Sequence, residues 1–339
     1  MSIVTTPKEI LLMIFGQLEV SDLVRVSETC RHLKEVARDP LLWKKLTLSY
    51  EKIKNNNEAC RNHVSRCSSL KEIFITGEET VIRSDKLMAV VMKAKNNLTS
   101  LNLSPSFLLS YTSFKKIGDM TQLTHLDVGG GKLGPEGIAS LAWLTELRSF
   151  KVPGITSENF NQICDTNRVK LLKMMVALRD LFRILKKLEV VEIKTDCDYP
   201  SDQVLMHLVR NNPNLHHVDI STSRPLSTRN MEELSCGSLS LLANKCPQLT
   251  YIGIGNLIFF SSSSITQLVT NCPKLKHANF ENTKIDDTAL AMMSTNCPDM
   301  EYLNISGCRS VTEDGLQALD LPNLKIFTES DEDYNDEDV

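Results

Sequence analysis

The apolar positions of the chain form a short block that recurs along most of its length. The block has apolar residues at its first, fourth and sixth positions, as in Leu98, Leu101 and Leu103. Its first position is held in turn by Leu70, Leu98, Leu123, Leu147, Leu188, Leu215, Leu249, Leu275, Met300 and Leu324. Seven of the nine spacings between these residues lie between 24 and 28 residues. A fixed period of this length indicates a stack of repeated structural units.

Each block predicts a strand that is followed by a helix. Apolar residues at the fourth and sixth positions have the period of a strand with one buried face. The polar turn and helical stretch that follow end at prolines such as Pro273 and Pro298, because proline cannot continue a helix. One strand and one helix cannot bury their apolar faces alone. The sequence therefore predicts an α/β solenoid over residues 49–327, with a curved parallel sheet inside and helices outside.

Two intervals are longer than the period. Between Leu147 and Leu188, apolar residues fall on one helical face, which predicts a long helical insertion near residues 158–187. A short degenerate repeat that starts at Leu171 is the alternative. The second long interval contains a loop of about fifteen residues, Ser221–Ser235. Long loops on a regular scaffold often carry function.

Residues 1–48 lack the repeating block and predict three short helices. The segment Thr6–Glu9 has the pattern of a capping box with proline at the first helical position. This helix is expected to reach about Leu18, and two more are expected over residues 21–28 and 29–38.

The first of these helices has more apolar residues than its own unit can cover. Residues Ile10–Phe15 are six consecutive apolar residues, so apolar side chains point around most of the helix. A unit of about 45 residues has too small a core to bury all of them. Either a partner protein or the repeat domain is expected to cover the remainder.

Both parts of the chain resemble known families. The residues Pro7, Glu9, Ile10, Leu11, Ile14, Phe15, Leu18, Asp22, Leu23, Cys30 and Arg31, with Leu42, Trp43, Lys44 and Leu46, resemble an F-box. Thr6 stands where leucine is usual, and Leu33 where tryptophan or phenylalanine is common. Residues 297–312 resemble the cysteine-containing subtype of leucine-rich repeat, which is common in F-box proteins.

The resemblance implies a substrate-recognition subunit of an SCF-type ubiquitin ligase, which is not itself an enzyme. Its F-box would bind a Skp-type adaptor on a cullin–RING scaffold, and its repeats would bind the protein to be ubiquitinated and degraded. The implied adaptor-binding residues are Pro7, Ile10, Leu11, Ile14, Phe15, Leu18 and Leu23. A non-degradative interaction scaffold built from the same two parts is the alternative.

Four ring-bearing residues predict where a protein substrate binds. His217, Tyr251, His277 and Tyr302 occupy one position of four consecutive late repeats, on the face expected to be concave. Adjacent strands would place their rings about 5 Å apart in a row. Exposed aromatic groups on a rigid sheet are typical of a protein-binding surface. The alternative is a chance alignment of solvated residues.

Charge and hydropathy argue against nucleic-acid and membrane partners. The net charge is -4, but the last eleven residues hold seven acidic and no basic residues. The remaining chain has 38 basic against 35 acidic residues, which is too balanced to predict nucleic-acid binding. No secretory signal or membrane-length apolar run is present, so a cytoplasmic or nuclear location is expected. The acidic tail, residues 328–339, is predicted to be disordered. Alternatively, it folds back over the repeats, or it meets a basic partner or the basic residues Lys170, Lys173, Arg179, Arg183, Lys186 and Lys187.

No catalytic, cofactor or metal site is predicted. Cys246, Cys272 and Cys297 fall one per repeat, so they should form a row of buried packing groups. Tetrahedral zinc instead needs four ligands that converge on one point. The glycine-rich segment 129–134 lacks the Gly-Lys-Ser/Thr ending of a phosphate-binding loop and is interpreted as a repeat turn.

Overall fold

The computed structural model describes residues 6–18, 20–49, 69–76, 84–103, 111–128, 134–155, 166–195, 202–222 and 237–328. The chain divides into two compact units, Met1–Lys132 and Leu133–Val339. The first unit contains three N-terminal helices and the first four strands. The sequence-based domain limits of 1–48, 49–327 and 328–339 stay predictions.

The first unit begins with three helices packed around one small core. They are α1 (Lys8–Phe15), α2 (Val20–Ser27) and α3 (Arg31–Ala37). Their buried side chains are Leu11, Phe15, Leu23, Leu33, Val36 and Ala37. A 3-10 turn, Pro40–Trp43, follows, and Trp43 Nε1 donates a hydrogen bond to the Ala37 carbonyl at 2.7 Å. The expected capping box differs in detail, because Pro7 is the N-cap and makes no side-chain capping bond.

Four parallel strands complete the described part of the first unit. They are β1 (Lys45–Ser49), β2 (Glu72–Thr76), β3 (Ser100–Leu103) and β4 (His125–Asp127). The helix α4 (Ser84–Val91), extended by a 3-10 turn Met92–Ala94, and the helix α5 (Tyr111–Gly118) connect them. Each strand pairs in parallel with the next. Ile73, Leu101 and Leu126 lie in register on adjacent strands and are buried, as the repeat pattern predicts.

The second unit alternates helices and strands throughout. Its helices are α6 (Pro135–Ser140), continued by a 3-10 turn Leu141–Trp143, α7 (Thr166–Ile184), α8 (Asp202–Asn211), α9 (Gly237–Lys245), α10 (Ser262–Asn271), α11 (Asp287–Asn296) and α12 (Glu313–Gln317). Its strands are β5 (Ser149–Ile155), β6 (Val190–Thr195), β7 (His217–Asp219), β8 (Tyr251–Gly253), β9 (His277–Asn279), β10 (Tyr302–Asn304) and β11 (Lys325–Phe327). Each of these strands pairs in parallel with the next.

The predicted fold class, a helical N-terminal segment followed by α/β repeats, is confirmed. The fourth-position residues Val218, Ile252, Ala278 and Leu303 lie in register and are buried. Helices α10 and α11 end at Asn271 and Asn296, immediately before the Cys-Pro pairs that predicted their ends.

Several predictions fall partly or wholly on residues outside the described ranges. The nineteen-residue helix α7 occupies part of the interval for which a long helical insertion was predicted, and residues 158–165 lie outside. Of the loop Ser221–Ser235, only Ser221 and Thr222 are described. The glycine-rich turn up to residue 133 and the tail from residue 329 also lie outside. Among the described residues, no helix is both long enough and apolar enough to cross a membrane.

Candidate binding surfaces

An exposed apolar face on α1 is the first candidate surface. Leu11 and Phe15 lie four residues apart and point into the helical core, so the helix period turns Ile10, Met13 and Ile14 toward solvent. Their exposed fractions are 46%, 71% and 49%. The apolar excess that the sequence predicts for this helix is therefore present on the surface of the first unit.

The structure divides the implied adaptor-binding residues into two groups. Pro7, Ile10 and Ile14 are exposed, and Leu18 is half-buried against the helical core. The other three residues, Leu11, Phe15 and Leu23, are almost completely buried in that core. Leu11, Phe15 and Leu23 therefore support the helices from inside, and the exposed side chains are the ones accessible to a partner. Adaptor binding by these seven residues stays a prediction.

A row of rings on β7–β10 is the second candidate surface. Strand register places His217, Tyr251, His277 and Tyr302 side by side, as the sequence predicts. His217 stacks on Tyr251 with ring centroids 4.1 Å apart and an interplanar angle of 11°. The next two centroid distances are 6.2 and 6.3 Å. The sequence analysis missed Phe327 on β11, whose ring lies 4.7 Å from that of Tyr302 and extends the row by one strand.

A cluster of paired charges adjoins the row at β5–β7. The Glu192 carboxylate contacts Lys151 Nζ, and its Oε1 lies 2.9 Å from His217 Nε2. Burial alone would raise the pKa of Glu192, but His217 and Lys151 outweigh burial and lower it to about 2. Glu192 is therefore ionised, and the ammonium group of Lys151 balances its charge. Sequence reasoning missed this cluster because Lys151 and Glu192 are brought together across the longest interval between two blocks.

Asp219 is a second buried carboxylate of the same cluster. It accepts hydrogen bonds from the Ser221 N–H at 3.0 Å and from Tyr251 Oη at 3.3 Å, and Lys194 Nζ lies 3.4 Å away. Burial and the neighbouring Asp219 raise the pKa of Tyr251, so its hydroxyl stays protonated and donates. Gly253 makes room for this carboxylate, because a Cβ there would lie 2.3 Å from Asp219 Oδ1.

The same local turn fixes the polar side chain at the end of three strands. In each case a side-chain Oδ1 accepts a hydrogen bond from the backbone N–H two residues later, at 3.0 Å. The pairs are Asp219 with Ser221, Asn279 with Glu281, and Asn304 with Ser306. This turn holds each side chain in one orientation beside the ring row.

The cysteines predicted to form a row are packing groups. Cys246, Cys272 and Cys297 are buried, and the thiols of Cys272 and Cys297 donate to the backbone carbonyl of the preceding cysteine at 3.7 and 3.6 Å. Burial raises the pKa of Cys246 to about 11 and those of Cys272 and Cys297 to about 12. These thiols are therefore protonated near neutral pH and are neither nucleophiles nor ready ligands. Within the described residues, no group of three or more His, Cys, Asp and Glu side chains could hold a metal ion.

Comparison with protein families matches both parts of the chain. Residues 7–49 match the model of the F-box-like family. Residues 120–142 and 296–319 match the model of the Leucine Rich repeat family.

Individual proteins similar to this chain include a curated relative and solved structures. The F-box/LRR-repeat protein 4 of Bos taurus is 23% identical over 285 residues, covering 79% of this chain and 45% of the relative. The chain thus spans less than half of that relative's length. A chain of the yeast Rad7 and Elc1 complex aligns at 13% identity with a TM-score of 0.50, over 94% of this chain and 80% of its own length. An internalin from Listeria monocytogenes aligns at 13% identity with a TM-score of 0.45, over 98% and 100% of the two chains.

Proposed function

We propose that this chain, an F-box and leucine-rich-repeat protein, is the substrate-recognition subunit of an SCF-type ubiquitin ligase. Its helical segment would bind a Skp-type adaptor and, through it, a cullin–RING scaffold. Its repeats would bind the protein that is ubiquitinated and then degraded. The chain itself would have no catalytic step and would act in the cytoplasm or nucleus.

The exposed apolar face of α1 is the observation that carries this proposal. It lies inside the segment that matches the F-box-like family, and it combines Ile10, Met13 and Ile14 on one helix. Three large apolar side chains on a helix of eight residues are a costly surface unless another protein covers them. Since the core side chains behind them are fully packed, a partner can bind here without rearranging the helices.

The ring row supports the substrate half of the proposal. Strand pairing fixes the backbone of the row and the rings contact each other, so little side-chain freedom is lost when a partner binds. Tyrosine side chains are enriched among the residues that dominate protein–protein binding. The row belongs to the second unit and the α1 face to the first, so the two tasks use different residues.

Titration of a purified Skp-type adaptor against the purified chain tests the adaptor half. Ile14→Glu places a charge on the exposed face and should weaken binding by about thirtyfold or more, equivalent to about 2 kcal/mol. Val176→Glu is the matched control, because Val176 is 46% exposed on α7 in the second unit and receives the same charge change. Unchanged affinity for Ile14→Glu, with its fold intact, would refute the proposal.

A second measurement separates the ligase role from a non-degradative scaffold. Inhibition of cullin neddylation should raise the abundance of proteins that bind the repeats, and deletion of the chain should have the same effect. Binding partners whose abundance responds to neither treatment would favour the scaffold instead.

A further inference from the structure

Charge divides the strand face of the second unit into two parts. From β5 to β7, charged groups are common but paired with each other, as in Lys151 with Glu192 and Lys194 with Asp219. From β8 to β10, the residues at the ring-row position and at the second position after it include no Asp, Glu, Lys or Arg. They are Tyr251, Gly253, His277, Asn279, Tyr302 and Asn304.

Charged residues adjoin this uncharged part. Asp219 accepts a hydrogen bond from Tyr251 Oη at 3.3 Å, and Glu301 Oε2 lies 3.7 Å from His277 Nε2. Lys276 Nζ and Glu301 Oε1 pair with each other at 2.7 Å. Glu281 accepts a hydrogen bond from Asn282 Nδ2 at 3.4 Å. Lys276 and Glu301 therefore balance each other's charge, Glu281 contacts a neutral amide, and the area between them presents rings and amides.

Two amide groups in this area have unused donors. The N–H groups of Glu281 and Ser306 require an acceptor, which fixes the Oδ1 atoms of Asn279 and Asn304 toward the backbone. The two Nδ2 groups consequently point away from that turn, and neither donates a hydrogen bond to any described residue. Because Asn279 and Asn304 are register partners on adjacent strands, their side chains lie about 5 Å apart.

We infer that the part of the strand face from β8 to β10 binds an extended, uncharged peptide segment with at least one aromatic or aliphatic side chain. The inference rests on the proposed function, since it states which class of substrate segment the repeats recognise. Backbone carbonyls of the segment accept from Asn279 and Asn304 Nδ2, and its apolar side chain packs on the rings of Tyr302 and His277. A charged side chain is disfavoured because it loses water here, and the neighbouring Asp219 and Glu301 carboxylates already pair with Lys194 and Lys276.

The chain itself provides the substitution that tests this inference. Asp219 occupies the same position as Asn279 and Asn304, and its Oδ1 makes the same turn at the same distance. Asn279→Asp and Asn304→Asp should therefore keep the turn and the fold while replacing each donor with a carboxylate oxygen. Asn244→Asp is the matched control, because Asn244 lies exposed on α9 and its Oδ1 accepts from Asn271 Nδ2 at 2.9 Å, a role that aspartate retains.

Selection of a random twelve-residue peptide library displayed on phage against the purified full chain is the experiment. The enriched peptides should carry few charges and an aromatic or aliphatic residue. Their affinity should fall about tenfold or more for the Asn279→Asp/Asn304→Asp protein and stay unchanged for Asn244→Asp. Enrichment of strongly acidic or basic peptides, enrichment of none, or equal binding to the double variant would overturn the inference. Adaptor titration on the same proteins separates the two claims: failure of adaptor binding by the unaltered chain counts against the proposed function, whatever the peptides do.

Discussion

The two candidate surfaces differ in how their side chains are held. The α1 face uses three aliphatic side chains that project from a short helix with large exposed fractions. The ring row uses larger groups that strand pairing places side by side, with stacked, tilted or edge-on contacts between neighbours. The α1 side chains project freely from the helix, whereas contacts between neighbours give the rings a more fixed shape.

The side chains that support the two surfaces also differ in kind. Behind the α1 face lies an apolar core formed by residues close in sequence, including Leu11 and Phe15. In the second unit the buried supports are polar: Asp219 lies beside the ring row, and Asn212 lies between α8 and β7. The partners of both include groups from a different repeat. Loss of a support is therefore expected to act through packing in the first case and through unsatisfied polar groups in the second.

The largest expected effect on stability is the difference between a substitution on the buried face of α1 and one on its exposed face. Leu11→Ala should destabilise the helical segment by about 2–5 kcal/mol, because it removes a buried side chain from a small core. Ile14→Ala should cost less than about 1 kcal/mol, because the side chain is half exposed. Urea unfolding in a Trp143→Phe background measures both, since Trp43 in the helical segment is then the one remaining tryptophan. Equal losses for the two variants would contradict the assignment of core and surface.

A comparable loss of stability should follow when one buried polar side chain of the second unit is removed. Asn212 Oδ1 accepts from the Leu188 N–H at 2.8 Å, and its Nδ2 donates to the Leu185 and Leu208 carbonyls at 3.0 and 2.9 Å. Asn212→Ala leaves these three buried groups without that partner and should cost about 2–4 kcal/mol. Asn244→Ala, on the exposed side of α9, should cost less than about 1 kcal/mol. Thermal and urea unfolding followed by circular dichroism measure the difference. If Asn212→Ala is as stable as the unaltered chain, these three hydrogen bonds do not support the second unit.

A smaller, pH-dependent effect is expected at Glu192. Its pKa is lower in the fold than the ordinary value of 4.5, so its stabilisation is complete above about pH 4.5 and is lost as the pH falls toward 2. Glu192→Gln should therefore lower stability at pH 7 by about 1–2 kcal/mol, a magnitude reduced by solvent screening. The difference between the unaltered chain and Glu192→Gln should shrink between pH 4.5 and 2. A difference that stays constant over that interval would show that the ion pairs are not the cause.

The sequence predicted the repeating elements because their signals are local and periodic. Apolar residues at the fourth position predicted the buried register of Val218, Ile252 and Ala278, and the ring row followed from the same spacing. The sequence could not distinguish the buried face of α1 from its exposed face, because six consecutive apolar residues do not indicate which side of the helix packs against the core. The paired charges were missed for a different reason. Lys151 and Glu192 are 41 residues apart, across an interval in which the period is lost.

The central claim is that adaptor binding and substrate binding use separate surfaces. Its most direct test is quantitative capture of three tagged proteins from cells: the unaltered chain, Ile14→Glu, and Asn279→Asp/Asn304→Asp. The account predicts that Ile14→Glu loses the Skp-type adaptor and cullin but keeps the proteins whose ubiquitination depends on this chain. The double aspartate variant should lose those proteins and keep the adaptor at its unaltered level. The claim would be contradicted if either folded variant lost both the adaptor and those proteins. It would also be contradicted if neither variant lost any of them.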